Sequence, residues 1–469
     1  MSGKSTQVYS VQVGPAISEG GDPDSNFLPD PSGAGVTFTG MATTTATVDA
    51  FQGEEAFHIE EQGRRTPGEN RPAAIGVING GPEKYGAATG EFFRASYPDE
   101  ISLAHRLRTP DGASPDTVAF GQVLNSSMGL HKPAEATVTC AQNSANGGEF
   151  IVANAGHTTL LIGAPVRVYH RQGATDTFMH EYAIVTGVSA DATNTTYTVH
   201  PQFSHTPQET DEIQLCYAFY PVIGDDSNLS NDIHVQFDMG GTGSNATVRR
   251  LASGCRCSGF SISNDNSGAS ISMNIRPLVM LQDKAANAST VSTSEPAGKL
   301  LQHRYGCRVD MGASHSSVSA GTAASTSRAY LPNFDHSIEV SFDTAPGTPE
   351  TRGVIRGGTH EIHNATCAVS VTTENNEDLQ NMITKDELKT LILGFGPGGT
   401  GTSKNGAAFI LKNASRSDGS ANPSGGEGNR IQQTTSLRAV SDFNTYAGSP
   451  TGSELNLASA PFILVFPRA

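Results

Sequence analysis

Small polar and apolar side chains alternate regularly along the segment from Arg249 to Ile275. The alternation is clearest from residue 257 to 263, pauses at a turn sequence Asn-Asp-Asn-Ser-Gly, and then resumes. Successive side chains of a strand point to opposite faces, so the pattern predicts a β-hairpin with one buried and one solvated face. Its main apolar positions are Phe260, Ile262, Ile271, Met273 and Ile275.

Shorter stretches separated by turn-forming residues predict further strands. In the first half of the chain these stretches lie at residues 74–78, 91–97, 149–153, 166–169, 182–188, 196–200 and 213–220. In the second half, a strictly alternating strand is predicted at 337–342, a strand pair at 357–371, and two more strands at 436–443 and 460–466.

Two segments have helical spacing instead of alternation. The first begins at Ser114 as N-cap with Pro115 in the first helical position, and its apolar face ends before Gly129. That face contains Phe120, Val123, Leu124 and Met128. The second helix is predicted to begin after residue 375, where Thr384 and Glu387 have capping-box spacing. Its buried face would be Leu388, Leu391 and Ile392, and it would end at Gly394, Gly396 and Pro397.

The composition favours β-structure with many loops, because only 36% of the 469 residues are hydrophobic and the chain contains 51 glycines. We expect an extended N-terminal arm at 1–50, a first β domain at 51–281, a linker at 282–298 and a second β domain at 299–469. A loop is expected from 396 to 429. The predicted fold is mainly β, with antiparallel β-sandwich or barrel domains that each carry a flanking helix. Two tandem domains are preferred, and a single domain with large insertions remains an alternative.

The formal net charge of −16 disfavours adsorption of nucleic acid to the surface as a whole, since that binding needs Lys and Arg to displace counterions. No Lys or Arg occurs between Gln172 and Val248, where acidic residues accumulate. This stretch is either an ordinary solvated surface or one that must repel DNA. The aspartates of interest are Asp225, Asp226, Asp232 and Asp238, the first three of which form at most a loose cation site.

Six cysteines are too few for a disulfide scaffold in a chain of this length, so reduced and mostly buried thiols are expected. The N-terminus lacks the apolar run of a signal peptide, and no stretch approaches the length of a membrane span. We therefore expect a soluble protein that is made in a cytoplasm.

Motifs for catalysis, cofactors or metals are weak. The glycines from Gly394 to Gly399 have dinucleotide-site spacing, but Pro397 stands where the next helix should begin. His360 and His363 would point to opposite faces of a strand, and Cys255 and Cys257 lack two further zinc ligands. We assign no catalytic, cofactor-binding or metal-binding residue, and we do not expect an enzyme.

The order of features around the hairpin is a basic pair, a Gly-Cys step, an alternating strand, a glycine-containing turn and a second alternating strand. This order resembles the tail tube proteins of long-tailed bacteriophages, over the hairpin region alone. The resemblance implies a virion protein that assembles in the bacterial cytoplasm into trimeric or hexameric rings. The rings would stack around a tape-measure protein and contact tail terminator and baseplate or hub proteins. DNA would pass through the tube without specific binding, and no cofactor is implied.

From this resemblance, we expect the strands of the hairpin and of residues 337–342 to have unpaired edges, with which a strand of a neighbouring subunit pairs. The candidate inter-subunit residues are Phe260, Ile262, Ile271, Met273 and Ile275. The candidate lumen-facing residues are Asp225, Asp226, Asp232 and Asp238. The N-terminal arm and the 396–429 loop are expected to become ordered between stacked rings. Two alternatives remain: a capsid decoration or baseplate protein, and a hydrolase with an unrecognised triad.

Overall fold

The computed structural model confirms a mainly β fold. It describes residues 9–15, 49–51, 59–61, 101–110, 114–170, 178–222, 233–239, 247–265, 268–276, 279–285, 301, 308–313, 328–331, 333–346, 360–374, 387–396, 406–417, 423–425, 431–440 and 453–468. The helices in these ranges are a 3-10 helix (Pro115–Thr117), α1 (Ala119–Asn125) and α2 (Ser453–Ser459).

The strands of the first half are β1 (Tyr9–Pro15), β2 (Asp49–Phe51), β3 (Ile59–Glu61), β4 (Ile101–Arg106), β5 (Met128–His131), β6 (Thr137–Gln142), β7 (Glu149–Ala153), β8 (Pro165–His170), β9 (Phe178–Ala190), β10 (Asn194–His200), β11 (Glu212–Pro221) and β12 (Ile233–Met239). Those of the second half are β13 (Thr247–Asp265), β14 (Gly268–Arg276), β15 (Val279–Ala285), β16 (Arg308–Ala313), β17 (Ala329–Leu331), β18 (Asn333–Pro346), β19 (His360–Glu374), β20 (Lys389–Phe395), β21 (Ala407–Arg416), β22 (Pro423–Gly425), β23 (Ile431–Ala439) and β24 (Phe462–Pro467).

The outer sheet contains the predicted hairpin and has the order β3-β4-β14-β13-β18-β19-β23-β22, with every neighbouring pair antiparallel. Along its strands, apolar residues face inward and small polar residues face outward, as in Ile338 and Val340 against Ser337 and Ser341. The alternation in the sequence therefore corresponds to a sheet with one buried face.

A central sheet lies beneath the outer one, in the order β17-β16-β20-β21-β24-β11-β5. The last residues of β23 also pair with β21, so the two sheets are hydrogen-bonded to each other there. One face of the central sheet contributes Phe409 and Leu464 to the main core, together with Ile262 and Val340 of the outer sheet. The opposite face contributes Ile410 and other apolar residues to a second core. All six residues of β24 are buried. This sheet is covered on both faces, so the sequences of its strands are continuous runs of apolar residues.

Six strands close into an antiparallel barrel between residues 137 and 215. The ring of pairings is β6-β7-β10-β9-β8-β11, and β11 also pairs with β6. The barrel is filled by its own apolar core, which includes Phe150, Tyr197 and Ile213. Strand β11 leaves the barrel after Leu215 and continues into the central sheet, where it pairs with β24 and β5. The barrel and the central sheet are thus covalently continuous through one strand.

A further antiparallel sheet has the order β2-β1-β12-β13-β15. Strand β13 is 19 residues long. Its first part pairs with β12 and β15, and its second part belongs to the outer sheet. The long strand therefore connects the two sheets without a turn.

The structure corrects several local predictions. The second helix is wrong over its described part, because residues 389–395 form β20, and residues 375–386 lie outside the described residues. The 396–429 loop is wrong in part, because it contains the buried strand β21. Residues 360–374 form one strand instead of a pair. The first helix begins at Ala119 and ends at Asn125, so that Met128 starts β5, while α2 was not predicted. The strands predicted at 74–78 and 91–97 lie outside the described residues.

Strands from the two predicted domains are neighbours in the same sheets. Strand β13 pairs with β18, and β11 pairs with β24. The main core likewise contains residues from both halves, such as Met128 and Leu437. The described strands of 51–281 and 299–469 are therefore not arranged as two separate sheets in tandem. Most of the predicted linker, from residue 286 onward, lies outside the described residues.

Candidate functional site

The predicted hairpin is formed by β13 and β14, but its apolar residues lie inside the molecule. Phe260, Ile262, Ile271, Met273 and Ile275 are each between 0 and 2% exposed and belong to the main core. Both outer edges of the hairpin are paired within the chain, β13 with β18 and β14 with β4. Strand β18 also pairs with β19 on its other side. The expectation of open edges at the hairpin and at 337–342 is therefore wrong. The apolar side chains that alternate along these strands are buried in the main core, and this burial keeps the strands between neighbours of the same chain.

The candidate acidic residues are not assembled into a site by the described part of the chain. Asp225, Asp226 and Asp232 lie outside the described residues. Asp238 lies on β12, opposite Ser10 of β1 and Arg249 of β13 in the strand register. A lumen lined by these aspartates stays a prediction.

The outward face of the outer sheet carries mostly small polar side chains. Its central row consists of serines that stand opposite one another on five consecutive strands: Ser270, Ser263, Ser337, Ser370 and Ser436. At the usual strand spacing, this row is roughly 19 Å long. Small hydroxyl side chains thus cross five of the eight strands of the outer sheet, from β14 to β23. On β4, Arg106 stands opposite Ser270 at the end of this row.

Two further rows follow on one side of the serine row. The nearer contains Ser272, Ser261, Glu339, Ala368 and Arg438, and the farther contains Asn274, Gly259, Ser341 and Thr366. On the other side, the register places Asp335, Thr372 and Thr434 in one row. We call this surface the hydroxyl face and define it by residues Ser102, Ser261, Ser263, Ser270, Ser272, Asn274, Ser337, Glu339, Ser341, Thr366, Ala368, Ser370, Thr372, Thr434, Ser436 and Arg438. All of them are exposed or partly exposed.

Hydroxyls on neighbouring strands of this face bond to each other. The oxygens of Ser263 and Ser270 are 2.7 Å apart, and those of Thr372 and Thr434 are 2.9 Å apart. Ser102 and Ser272 form a similar pair at 3.2 Å. Such cross-strand hydroxyl pairs stabilise a sheet modestly and hold short side chains close to its surface. The hydroxyl face is therefore formed mostly by short side chains, with Glu339 and Arg438 as its charged members and Arg106 of β4 beside it.

A buried polar joint connects the barrel to the central sheet. Arg328 and Asp310 form an ion pair of 2.7 Å in which the side chains are 1% and 3% exposed. The guanidinium of Arg328 also donates to the backbone carbonyls of Tyr182, Pro201 and Gln202 in the barrel region, at 2.5, 3.3 and 3.0 Å. The guanidinium of Arg328 thus bonds to acceptors in both the barrel region and the central sheet.

The described cysteines are buried and none of them forms a disulfide, as expected from their number. Burial raises the pKa of Cys216 to about 12, and burial together with the charge of Asp211 raises that of Cys140 to about 12. A thiol held in its protonated form is a poor nucleophile and metal ligand. Cys255 and Cys257 are fully buried in the main core, so they pack as apolar side chains. Cys307 lies outside the described residues.

The closest approach to a catalytic arrangement lies in the barrel loop after β10. The imidazole Nε2 of His205 is 2.8 Å from Asp211 Oδ2, and both side chains are buried. The neighbouring hydroxyl of Ser204 donates to Glu181 at 2.6 Å. In a Ser-His-Asp triad the hydroxyl would instead donate to the imidazole. This cluster is therefore a structural network that fixes the loop.

Within the described ranges, no group of three or more His, Cys, Asp or Glu side chains is placed to hold a metal ion. No described helix is long and apolar enough to cross a membrane. A scan against models of known protein families finds no match to this chain, and a search of curated proteins finds no similar sequence. Any functional assignment therefore depends on the geometry and on the hairpin resemblance.

The serine row is the main feature that sequence reasoning missed. Each serine alternates with an apolar residue, so its outward direction follows from the pattern. The alignment of five serines on strands from distant parts of the chain depends on the pairing register, which the local sequence does not contain.

Proposed function

We propose that this protein is a structural virion component that self-assembles into stacked rings and forms the tube of a phage tail, through which the genome leaves. The proposal rests on the resemblance of the β13–β14 hairpin to tail tube proteins and on the architecture that contains this hairpin. No enzymatic activity is part of the proposed function.

One observation carries the proposal, namely that the outer sheet has at each end a three-residue strand with a single described neighbour. Beside β22, the rest of the β23 edge is covered by β21. Strand β3 pairs with β4, and β22 pairs with β23, and among the described strands neither has a second partner. An unpaired strand edge is a template for pairing with another chain. Two different ends that meet between copies make a heterologous contact, which closes into a ring when the rotation allows it.

In this proposal, the subunit contact lies away from the hairpin. The hairpin supplies the interior of the sheet, while the two ends supply the surfaces that join neighbouring subunits. Contacts between stacked rings would then extend the assembly along the axis, since head-to-tail contacts that do not close give a filament. Rings of three or six subunits remain the two expectations.

The test is to join the two sheet ends covalently in assembled material. A protein with Glu60→Cys in β3 and Ser424→Cys in β22 is oxidised and separated without reductant. We expect a ladder of disulfide-linked species that ends at the ring size. The matched control combines Glu60→Cys with Thr193→Cys, which places the second thiol on the exposed β9–β10 turn of the barrel, and it should give no ladder.

Electron microscopy and analytical ultracentrifugation of the unmodified protein provide the decisive outcome. Rings or tubes support the proposal. A monomer at every concentration, salt and nucleating condition would overturn it. Discrete particles bound to capsids or baseplates at fixed stoichiometry would favour a decoration or baseplate protein, and turnover of a generic ester or glycoside would favour a hydrolase.

A further inference from the structure

The turn between β6 and β7 contains a glycine that the packing requires. A Cβ built on Gly147 would overlap the backbone oxygen of Phe203, which belongs to the loop after β10. The carbonyl of Gly147 also accepts a hydrogen bond from the backbone N–H of Phe203 at 2.9 Å. The two backbones thus lie too close for a side chain at position 147, and only glycine fits there.

The residue before this glycine is Asn146. The side-chain amide of an asparagine can be attacked by the backbone nitrogen of the next residue, which closes a succinimide ring. A side chain on that next residue obstructs the attack, whereas glycine leaves the nitrogen accessible. Asn146 is partly exposed, so hydroxide and water can reach it. Asn79 and Asn405 also precede glycines in the sequence, but they lie outside the described residues.

The folded turn also supports the charge that forms during such an attack. Oδ1 of Asn146 accepts a hydrogen bond from the backbone N–H of Gly148 at 2.7 Å. When a nitrogen adds to the side-chain carbonyl, the negative charge develops on this same oxygen. A fixed N–H donor at that position stabilises the oxyanion. The turn therefore holds the amide and an oxyanion donor together before the reaction begins.

We propose that Asn146 deamidates spontaneously in the folded protein, through a succinimide formed with Gly147. Hydroxide removes the proton from the Gly147 nitrogen, which then bonds to Cγ of Asn146. The bond from Cγ to Nδ2 breaks, and the leaving nitrogen takes a proton from water and departs as ammonia. A second water opens the ring at either carbonyl and leaves aspartate or isoaspartate. This inference goes beyond the proposed function and does not depend on it.

Isoaspartate changes the backbone itself, because it places one additional carbon atom in the chain between residues 146 and 147. Beyond this point, the carbonyls of Gly147 and Gly148 accept hydrogen bonds from the N–H groups of Phe203 and Val199, at 2.9 and 2.8 Å. The longer backbone moves both acceptors out of register with their donors. The modification should therefore loosen this end of the barrel, while the outer sheet keeps its structure.

The test follows the amide of each asparagine by peptide mass spectrometry after incubation of the full chain at neutral and alkaline pH. Asn143 is the internal comparison, because it is exposed in the same turn and precedes a serine. We expect Asn146 to convert at least about tenfold faster than Asn143, since the accessible nitrogen and the oxyanion donor act together there. The rate should rise with pH, because hydroxide removes the proton from the attacking nitrogen.

The matched control is Asn146→Gln, which keeps the amide but must close a larger ring and should therefore stay intact. In aged wild-type protein, the backbone amides of Val199 and Phe203 should exchange with deuterium about tenfold faster than in fresh protein, and in aged Asn146→Gln they should not change. The proposal is overturned if Asn146 stays intact in the folded protein under conditions in which the urea-unfolded chain loses this amide, because the fold then blocks the attack. Equal rates at Asn146 and Asn143 would overturn it as well.

Discussion

Removing the guanidinium of Arg328 should loosen the barrel from the central sheet. The side chain is 1% exposed, pairs with Asp310 on β16 and donates to three backbone carbonyls of the barrel region. In Arg328→Met, an apolar chain of similar length fills part of the space, but the carboxylate of Asp310 stays buried without this partner. Loss of one member of a buried ion pair costs about 3–5 kcal/mol. We expect a destabilisation of this size.

The matched variants separate charge from packing. Arg328→Lys keeps the charge but cannot reproduce the planar fork that reaches both Asp310 and the carbonyls, so about half of the loss is expected. Arg438→Met removes an exposed arginine from the hydroxyl face and should change the free energy of unfolding by less than about 0.5 kcal/mol. The double variant Arg328→Met with Asp310→Asn should cost less than the sum of the single variants, since no unpaired charge remains.

Urea unfolding measures these free energies, and hydrogen exchange locates their origin. In Arg328→Met, backbone amides of β9 and of residues 201–203 should exchange faster, while those of β13 and β18 should change little. The reasoning is refuted if Arg328→Met costs less than about 1 kcal/mol, or if exchange increases equally in every sheet. Either result would mean that Arg328 is not a main connection between the barrel and the central sheet.

Three further predictions concern other buried positions. Burial lowers the pKa of His131 from 6.5 to about 4. Between these values the unfolded chain binds a proton that the folded chain does not, so stability should fall as the pH drops from 6.5 to 4. In His131→Asn, the urea midpoint should depend less steeply on pH across this range. Lys412 is fully buried and its ammonium donates to two backbone carbonyls of α2, at 2.8 and 2.6 Å. Lys412→Met should therefore cost about 2–3 kcal/mol in urea unfolding, and a wild-type midpoint would contradict this role. Gly163 has φ of +88°, and a Cβ there would lie 2.7 Å from Cα of Ala458, whereas Gly156 has φ of +90° with open space around it. Gly163→Ala should lower the melting temperature clearly more than Gly156→Ala, which carries only the backbone cost of about 1 kcal/mol, and equal shifts would exclude the steric contact.

Local pattern predicted the strands that have one buried face. The alternation of Phe260 and Ile262 with serines already contains the direction of each side chain, because the period of a strand is two. The same holds for the strand around Ile338. The burial of the described cysteines and the β class also follow from composition alone.

The central sheet was misread because it is covered on both faces. Leu391 and Ile392 are both buried, on opposite faces of β20, so the strand has no polar alternation and resembles a helical apolar run. The strand β21 was hidden for the same reason, within a region that glycine and asparagine marked as loop. Burial on both faces is a property of the layers and not of the segment.

Pairing was decided by the tertiary structure alone. Nothing local to Ser263 or Ser436 indicates that they lie in one row, or that β13 and β14 are covered by β18 and β4 instead of by a second molecule. Sequence determines which way a side chain points, because that depends on neighbouring bonds. Which strand lies beside it depends on how distant apolar faces are buried together. For this reason, the strand order of the outer sheet and the row of five serines are established only in the folded chain.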